Sequence, residues 1–477
     1  VRLAVAAALV AAPAAQQPER SVPPPVAPPP PIALPAVERF SLPNGLPVHV
    51  VERHDVPVAR VTLLLFTGAT ADPAGKEGLA SVTAAMLDEG AAGRDALAIA
   101  DAIEFLGASL ATSSGFDGSA VRLQVPVARL EPALAVMKDV VQSPDFPATE
   151  LERLRSERLT GFLQARDEPG AIASTAFPAR LFGATHRFGT PAGGTASTIK
   201  GLVVDDLRGF HAAHFRPDNA ALIVAGDVTR ASVAPLVDAA FGRWTSSGAK
   251  PSSAALPPAA PPNRRQIFLV DKPGAAQSEI RIGTIGAARS TPDYFGLEVL
   301  NTVLGGSFAS RLNQNLRETH GYAYGAGSRF DLRKAPGPFV AAAAVQTDKT
   351  AESLTEFFKE LSAIRQPVPA AELTRAKNLL AFGYPAEFET IASLSGKIEE
   401  QLLYGLSPDI FEHYVARIQS VSAADVERVA RTYIDPGKLL VVVVGDRKVI
   451  EAPVRALGLG PVTLLTIDDV MGAAVKP

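Results

Sequence analysis

Apolar and polar positions fall into two regimes along this chain. From Phe40 onward, Pro43-Asn44-Gly45 marks a turn, followed by β-rich runs at 48–51 and 58–66. The second run (ARVTLLLF) is almost continuously apolar, which predicts a central strand covered on both faces. Residues 78–87 and 95–106 read as helices, the latter ended by Gly107, and helices and strands alternate thereafter.

A proline-rich linker, KPSSAALPPAAPP at 250–262, separates this half from a second of similar length, which begins strand-like at 266–270. The two halves repeat one pattern. DLRGFHAAHFRPDNAALIVAGD at 206–227 aligns without a gap to DVERVARTYIDPGKLLVVVVGD at 425–446, so that Asp206 meets Asp425, Pro217 meets Pro436 and Gly226-Asp227 meets Gly445-Asp446. Any α+β protein offers a helix, a proline-marked turn and a buried strand; agreement among several markers makes the case. Gly107 corresponds to Gly321, and the helical segment near Leu151 to that near Leu373. The reading is an α+β chain of two homologous domains, 37–249 and 263–477, each a mainly antiparallel or mixed β-sheet packed with α-helices.

Ahead of these halves lies a different composition. Arg2 precedes a short apolar run and Ala12-Pro13-Ala14, which suits a cleavage site, so residues 1–36 read as a signal-like segment followed by a tether with eight prolines between 23 and 35. Export to a bacterial periplasm is the expectation. The 47% hydrophobic content of the 477 residues supports large cores, and a net charge of −3 offers no basic face for nucleic acid. No run of about 18 apolar residues is present to span a membrane. Cysteine is absent, which excludes disulfides, a thiolate nucleophile and sulfur ligands for a metal.

Unusual chemistry concentrates at 304–325, LGGSFASRLNQNLRETHGYAYG. Phe308, Leu312 and Leu316 recur at four-residue steps, predicting a helix that Ser307 caps and Gly321 ends, with Arg317 in its last turn. A strand follows, with Tyr322 and Tyr324 on one face. Leu304-Gly305-Gly306-Ser307 lacks the lysine of a phosphate-binding loop and reads as close packing between two helices. On these residues alone, Arg317 reads as a helix-end charge and the tyrosines as half-buried packing.

The wording L-G-G-S-F-x-S-R-L followed by L-R-E-x-x-G-Y-A-Y resembles a motif of the pitrilysin/insulinase type of zinc metallopeptidases, which include the mitochondrial processing peptidase. The resemblance runs from about Val37 to Asp446 and implies two homologous domains forming half of a clam-shell peptidase. It also implies an Arg/Tyr pair in the second domain, matched here by Arg317 and Tyr324. The first domain of that family carries zinc on G-L-A-H-x-x-E-H-M, with a further glutamate some 70 to 80 residues later. Here Gly78-Leu79-Ala80 and Met86 remain, but Ser81, Ala84 and Ala85 replace both histidines and the glutamate base, so no metal is expected in this chain. Glu157 falls roughly at the distal position and reads as part of a solvated charged face; His211 and His214, with Ala430 and Tyr433 as repeat counterparts, read as packing.

The expectation is the non-zinc subunit of a heterodimeric metalloendopeptidase, resembling that of a bacterial member, inactive alone. Arg317 would hold a substrate carbonyl or carboxylate, the Tyr324 hydroxyl would stabilise the oxyanion, and a homologous partner would supply zinc. Its substrate would be an extended peptide. The alternative is a catalytically inactive structural or peptide-binding subunit, which needs no Arg/Tyr pair.

Overall fold

The computed structural model describes residues 27–29, 34–246, 248–250 and 256–475. The signal-like segment and most of the tether lie outside the described residues, as do 251–255 of the linker.

Two six-stranded sheets organise the chain. The first contains β1 (Val37–Ser41), β2 (Pro47–Glu52), β3 (Val58–Leu65), β4 (Ser109–Ser114), β5 (Ser119–Pro126) and β6 (Ala220–Gly226). The second contains β7 (Gln266–Asp271), β8 (Gln277–Ile285), β9 (Ala323–Phe330), β10 (Pro338–Gln346), β11 (Leu440–Gly445) and β12 (Val462–Leu465). The first runs β1-β2-β6-β3-β5-β4; the second, taken from its far edge, runs β12-β7-β11-β8-β10-β9. These are one topology used twice, including a parallel pair at the equivalent place, β2 with β6 and β7 with β11. The copies differ at one edge, where β1 is antiparallel to β2 but β12 comes from the far end of the chain and runs parallel to β7. Helices Val204–His214 and Ala423–Tyr433 precede β6 and β11, as the repeated stretches predict.

The apolar runs are explained by what covers each face. Side chains alternate across a strand, so a strand buried on both sides has no polar face. In β11, Val441 and Val443 enter one core cluster while Leu440, Val442 and Val444 enter another. In β6, Leu222 and Val224 pack within the first half, whereas Ile223 and Ala225 join the core of the second. That crossing has a cause. Helix Pro169–Phe182 of the first half lies on the second sheet, setting Ile172, Ala176 and Phe177 against Val442 and Val444, and helix Ile391–Tyr404 of the second half lies on β3 and β6. Each half therefore covers a sheet face of the other. Arg122 of β5 adds a forked pair with Glu399, and Lys334 donates its backbone N–H to Asp117 at 2.9 Å.

Candidate active site

Arg317 and Tyr324 are brought together. The segment between β8 and β9 is not the single helix that the four-residue spacing predicts. After helix Tyr294–Leu304 the chain is loop from Gly305, helix resumes only at Arg311, and it widens at Gln314–Thr319 into a π-helical turn, with the His320 N–H donating five residues back to the Asn315 carbonyl at 3.1 Å. Leu312 and Leu316 are fully buried, but Phe308 stands outside the helix and is 66% exposed. The loop carrying it is tied down: the Asn313 amide donates to the Phe308 carbonyl at 2.7 Å and its Oδ1 accepts from Ala326 N at 3.3 Å. Gly305 lies directly on β9, accepting from Ser328 N at 3.1 Å, and a Cβ there would sit 2.2 Å from that nitrogen. Leu304-Gly305-Gly306-Ser307 is thus loop against strand, not helix against helix; only a glycine permits that approach.

The chain reverses at Gly321, with φ +66°, and enters the edge strand β9. Its pairing with β10 slips between Ala323 and Ala326, so Tyr324 and Gly325 form a bulge. Bulges re-aim side chains, and the two tyrosines fare differently. Tyr322 is partly buried on the core and stacks on His320 at 4.9 Å, whereas Tyr324 is 89% exposed. The Arg317 guanidinium lies over both exposed rings, 4.5 Å from Phe308 and 5.4 Å from Tyr324. Its ion pair is with Glu318, at 3.4 Å. Two rings holding a partly exposed cation contribute roughly 0.5–1 kcal/mol each and orient it without using its forked donors. An exposed phenol beside an oriented guanidinium can donate to an oxyanion and grip a carbonyl or carboxylate.

In the first half, helix Leu79–Ala85 keeps a well-built frame. Asp72, whose side chain is fully buried, accepts from Gly78 N at 2.7 Å and Ala80 N at 2.8 Å and pairs with Arg187 at 2.8 Å. Burial nonetheless pushes the Asp72 carboxyl up, against the pull of Arg187. On this frame Ser81 and Ala85 are half-buried and Ala84 is buried. Opposite them, Arg158 on helix Ala148–Ala165 donates from Nη1 to the Ser81 hydroxyl and from Nη2 to its carbonyl, both at 3.2 Å. Burial holds that guanidinium below its usual range. A hydroxyl, two methyl groups and an arginine do not fit a zinc ion. No cluster of three or more His, Cys, Asp or Glu able to hold a metal occurs among the described residues. Glu157 is mostly exposed beside Arg153 at 3.5 Å. His211 meets the Val141 carbonyl at 2.8 Å and stacks on Phe215, while His214 packs on Phe210.

Comparison with known proteins bears directly on this pairing of a bare helix with an Arg/Tyr pair. Residues 48–186 match the family model described as insulinase (peptidase family M16), and residues 201–380 match that of the peptidase M16 inactive domain. The chain belongs to the M16 peptidase family. An uncharacterized zinc protease of Mycobacterium tuberculosis is 27% identical over 398 residues, 83% of this chain and 90% of the relative. A Helicobacter pylori protein named a non-peptidase homolog is 23% identical, over 84% of this chain and 92% of its own. The crystal structure of a peptidase M16 inactive domain from Pseudomonas fluorescens superposes with a TM-score of 0.79 at 28% identity, covering 86% of this chain and 98% of that one. M16 relatives therefore include proteins named as proteases and one named as a non-peptidase.

Within this M16 chain, three participants escaped the sequence reading. The spacing of Phe308 with Leu312 and Leu316 makes it one apolar position of a helix, and nothing in that spacing marks it as a ring beneath a guanidinium. Asn313 carries no periodic signal at all. Arg158 did have one: it stands 77 positions after Ser81, inside the interval expected for a distal ligand. It is the residue next to Glu157, and one step around a helix turns a side chain by about 100°.

Proposed function

We propose that this chain is the non-zinc subunit of a heterodimeric M16 metalloendopeptidase, exported to the periplasm, that contributes Arg317 and Tyr324 to a site completed by a homologous zinc-bearing partner. The observation that carries the reading is the exposed Arg317–Tyr324 pair, held by a π turn, a bulge and a stacked Phe308, in a chain whose own metal helix has lost its ligands. Tyr324, 89% exposed, serves no core packing, and the supports that hold it beside the partly exposed Arg317 are several. An extended peptide would lie with a carbonyl or carboxylate on the Arg317 fork, and the Tyr324 hydroxyl would donate to the oxyanion as it forms. Lewis acidity and an activated water come with the partner's zinc.

The test is reconstitution. This chain and a zinc-bearing M16 homologue should each be inactive on peptides and active when mixed. Tyr324→Phe should lower turnover by roughly 10²–10³, as for loss of one oxyanion donor. Arg317→Ala should raise KM as well, since ground-state contacts go too. Gel filtration must show that both variants still assemble. Assembly with undiminished turnover would leave the chain as a structural or peptide-binding subunit.

A further inference from the structure

The surroundings of Arg158 are as informative as its contacts. On the same helix, Arg153 is held by Glu89, Glu150 and Glu157, and Arg155 by Glu152 and the carbonyls of Lys200 and Leu202. Arg158 meets no carboxylate among the described residues; its polar partners are the hydroxyl and carbonyl of Ser81. Arg158 is partly buried, and burial outweighs the one neighbouring carboxylate that acts on its charge, the exposed Glu157; holding a guanidinium there costs free energy unless its contacts to Ser81 and its packing offset it. Here the two helices carry the stretches at which the family resemblance implies zinc ligands, 81–85 and the positions 70 to 80 residues later. Three residues further along, Gly161 is exposed and a Cβ on it would meet nothing within 4 Å, so that position has room for a side chain.

We propose that Arg158 is a built-in cation occupying the vestigial metal site, so that this half excludes metal ions by charge as well as by lack of ligands. Ser81 is then the small acceptor that anchors the guanidinium, and restoring ligands alone will not restore zinc. The inference concerns this chain by itself and stands whether or not a partner carries zinc.

Two measurements decide it. The first places a three-ligand set, Ser81→His, Ala85→His and Gly161→Glu, in a chain with Arg158 and in a chain with Arg158→Leu, both checked for folding by circular dichroism, and titrates each with zinc. Like-charge repulsion at close range predicts zinc binding at least about a hundredfold weaker with Arg158 present. Equal affinity in the two chains, or no zinc in either, overturns the proposal. The second needs a single change and no metal. Ser81→Asp gives the guanidinium a carboxylate, so the melting temperature should rise, whereas in the Arg158→Leu background the same change should lower it. A fall with Arg158 present overturns the proposal as well.

Discussion

A single histidine shows how far burial governs ionisation in this chain. His49, on β2 and opposite Arg39 of β1, is 8% exposed; burial, then the facing guanidinium, pushes its pKa down from 6.5 to about 4. The unfolded chain then takes a proton near pH 6.5 that the folded chain refuses until about pH 4. Stability from this group is complete above the unfolded value and drains away as pH falls between the two. His49→Gln should flatten the decline in unfolding free energy between pH 6.5 and 5, as measured by urea titration at several pH values. An unchanged slope would mean that the imidazole titrates normally. Arg317 and Tyr324, the pair proposed above to act on substrate, stand nearer the surface and are positioned by neighbours.

Elements matter more than residues for that positioning. Phe308 reaches Arg317 because the loop before the π turn lies flat on β9, and it lies flat because Gly305 has no Cβ. Gly305→Ala puts a methyl 2.2 Å from Ser328 N, so the loop must lift and its hydrogen bond at 3.1 Å must break. Reconstituted activity should fall by about 10²-fold, the penalty for a misplacement near 1 Å, although no catalytic side chain is altered. Full activity in this variant would show that Phe308 and its loop do not orient the pair. Much of this element was legible beforehand: Leu312 and Leu316 are core positions and Gly321 does reverse the chain. The π turn was not, because four-residue spacing describes Leu312 and Leu316 equally well in either helix type. Nor was the bulge, since slipping a strand by one residue depends on its neighbour's pairing.

At the scale of the molecule, the two halves interlock. Helix Pro169–Phe182 buries Phe177 on the second sheet and helix Ile391–Tyr404 buries Leu394 and Ile398, so each half would expose an apolar sheet face without the other. A protease site inserted between 250 and 256 should therefore yield two fragments that co-elute in gel filtration without denaturant and separate only in urea. Fragments that part spontaneously would mean that the halves are independent units. Phe177→Ala should lower the urea concentration for separation, since truncating a buried phenylalanine typically costs about 3–5 kcal/mol.

The amino-acid sequence by itself determined the α+β repeat, because a strand buried on both faces must be apolar throughout and a helix before it must show its own period. The same local rules exposed the empty metal motif, as ligands are particular residue types at particular spacings and Ser81, Ala84 and Ala85 are not among them. Only the tertiary structure decided which sheet each helix covers, since an apolar face matches either sheet equally well. It also decided that Arg158 rather than Glu157 turns toward Ser81, and that Tyr324 rather than Tyr322 stands in the open. Those outcomes depend on how elements distant in the chain meet, and a bulge or one step around a helix is enough to reverse them.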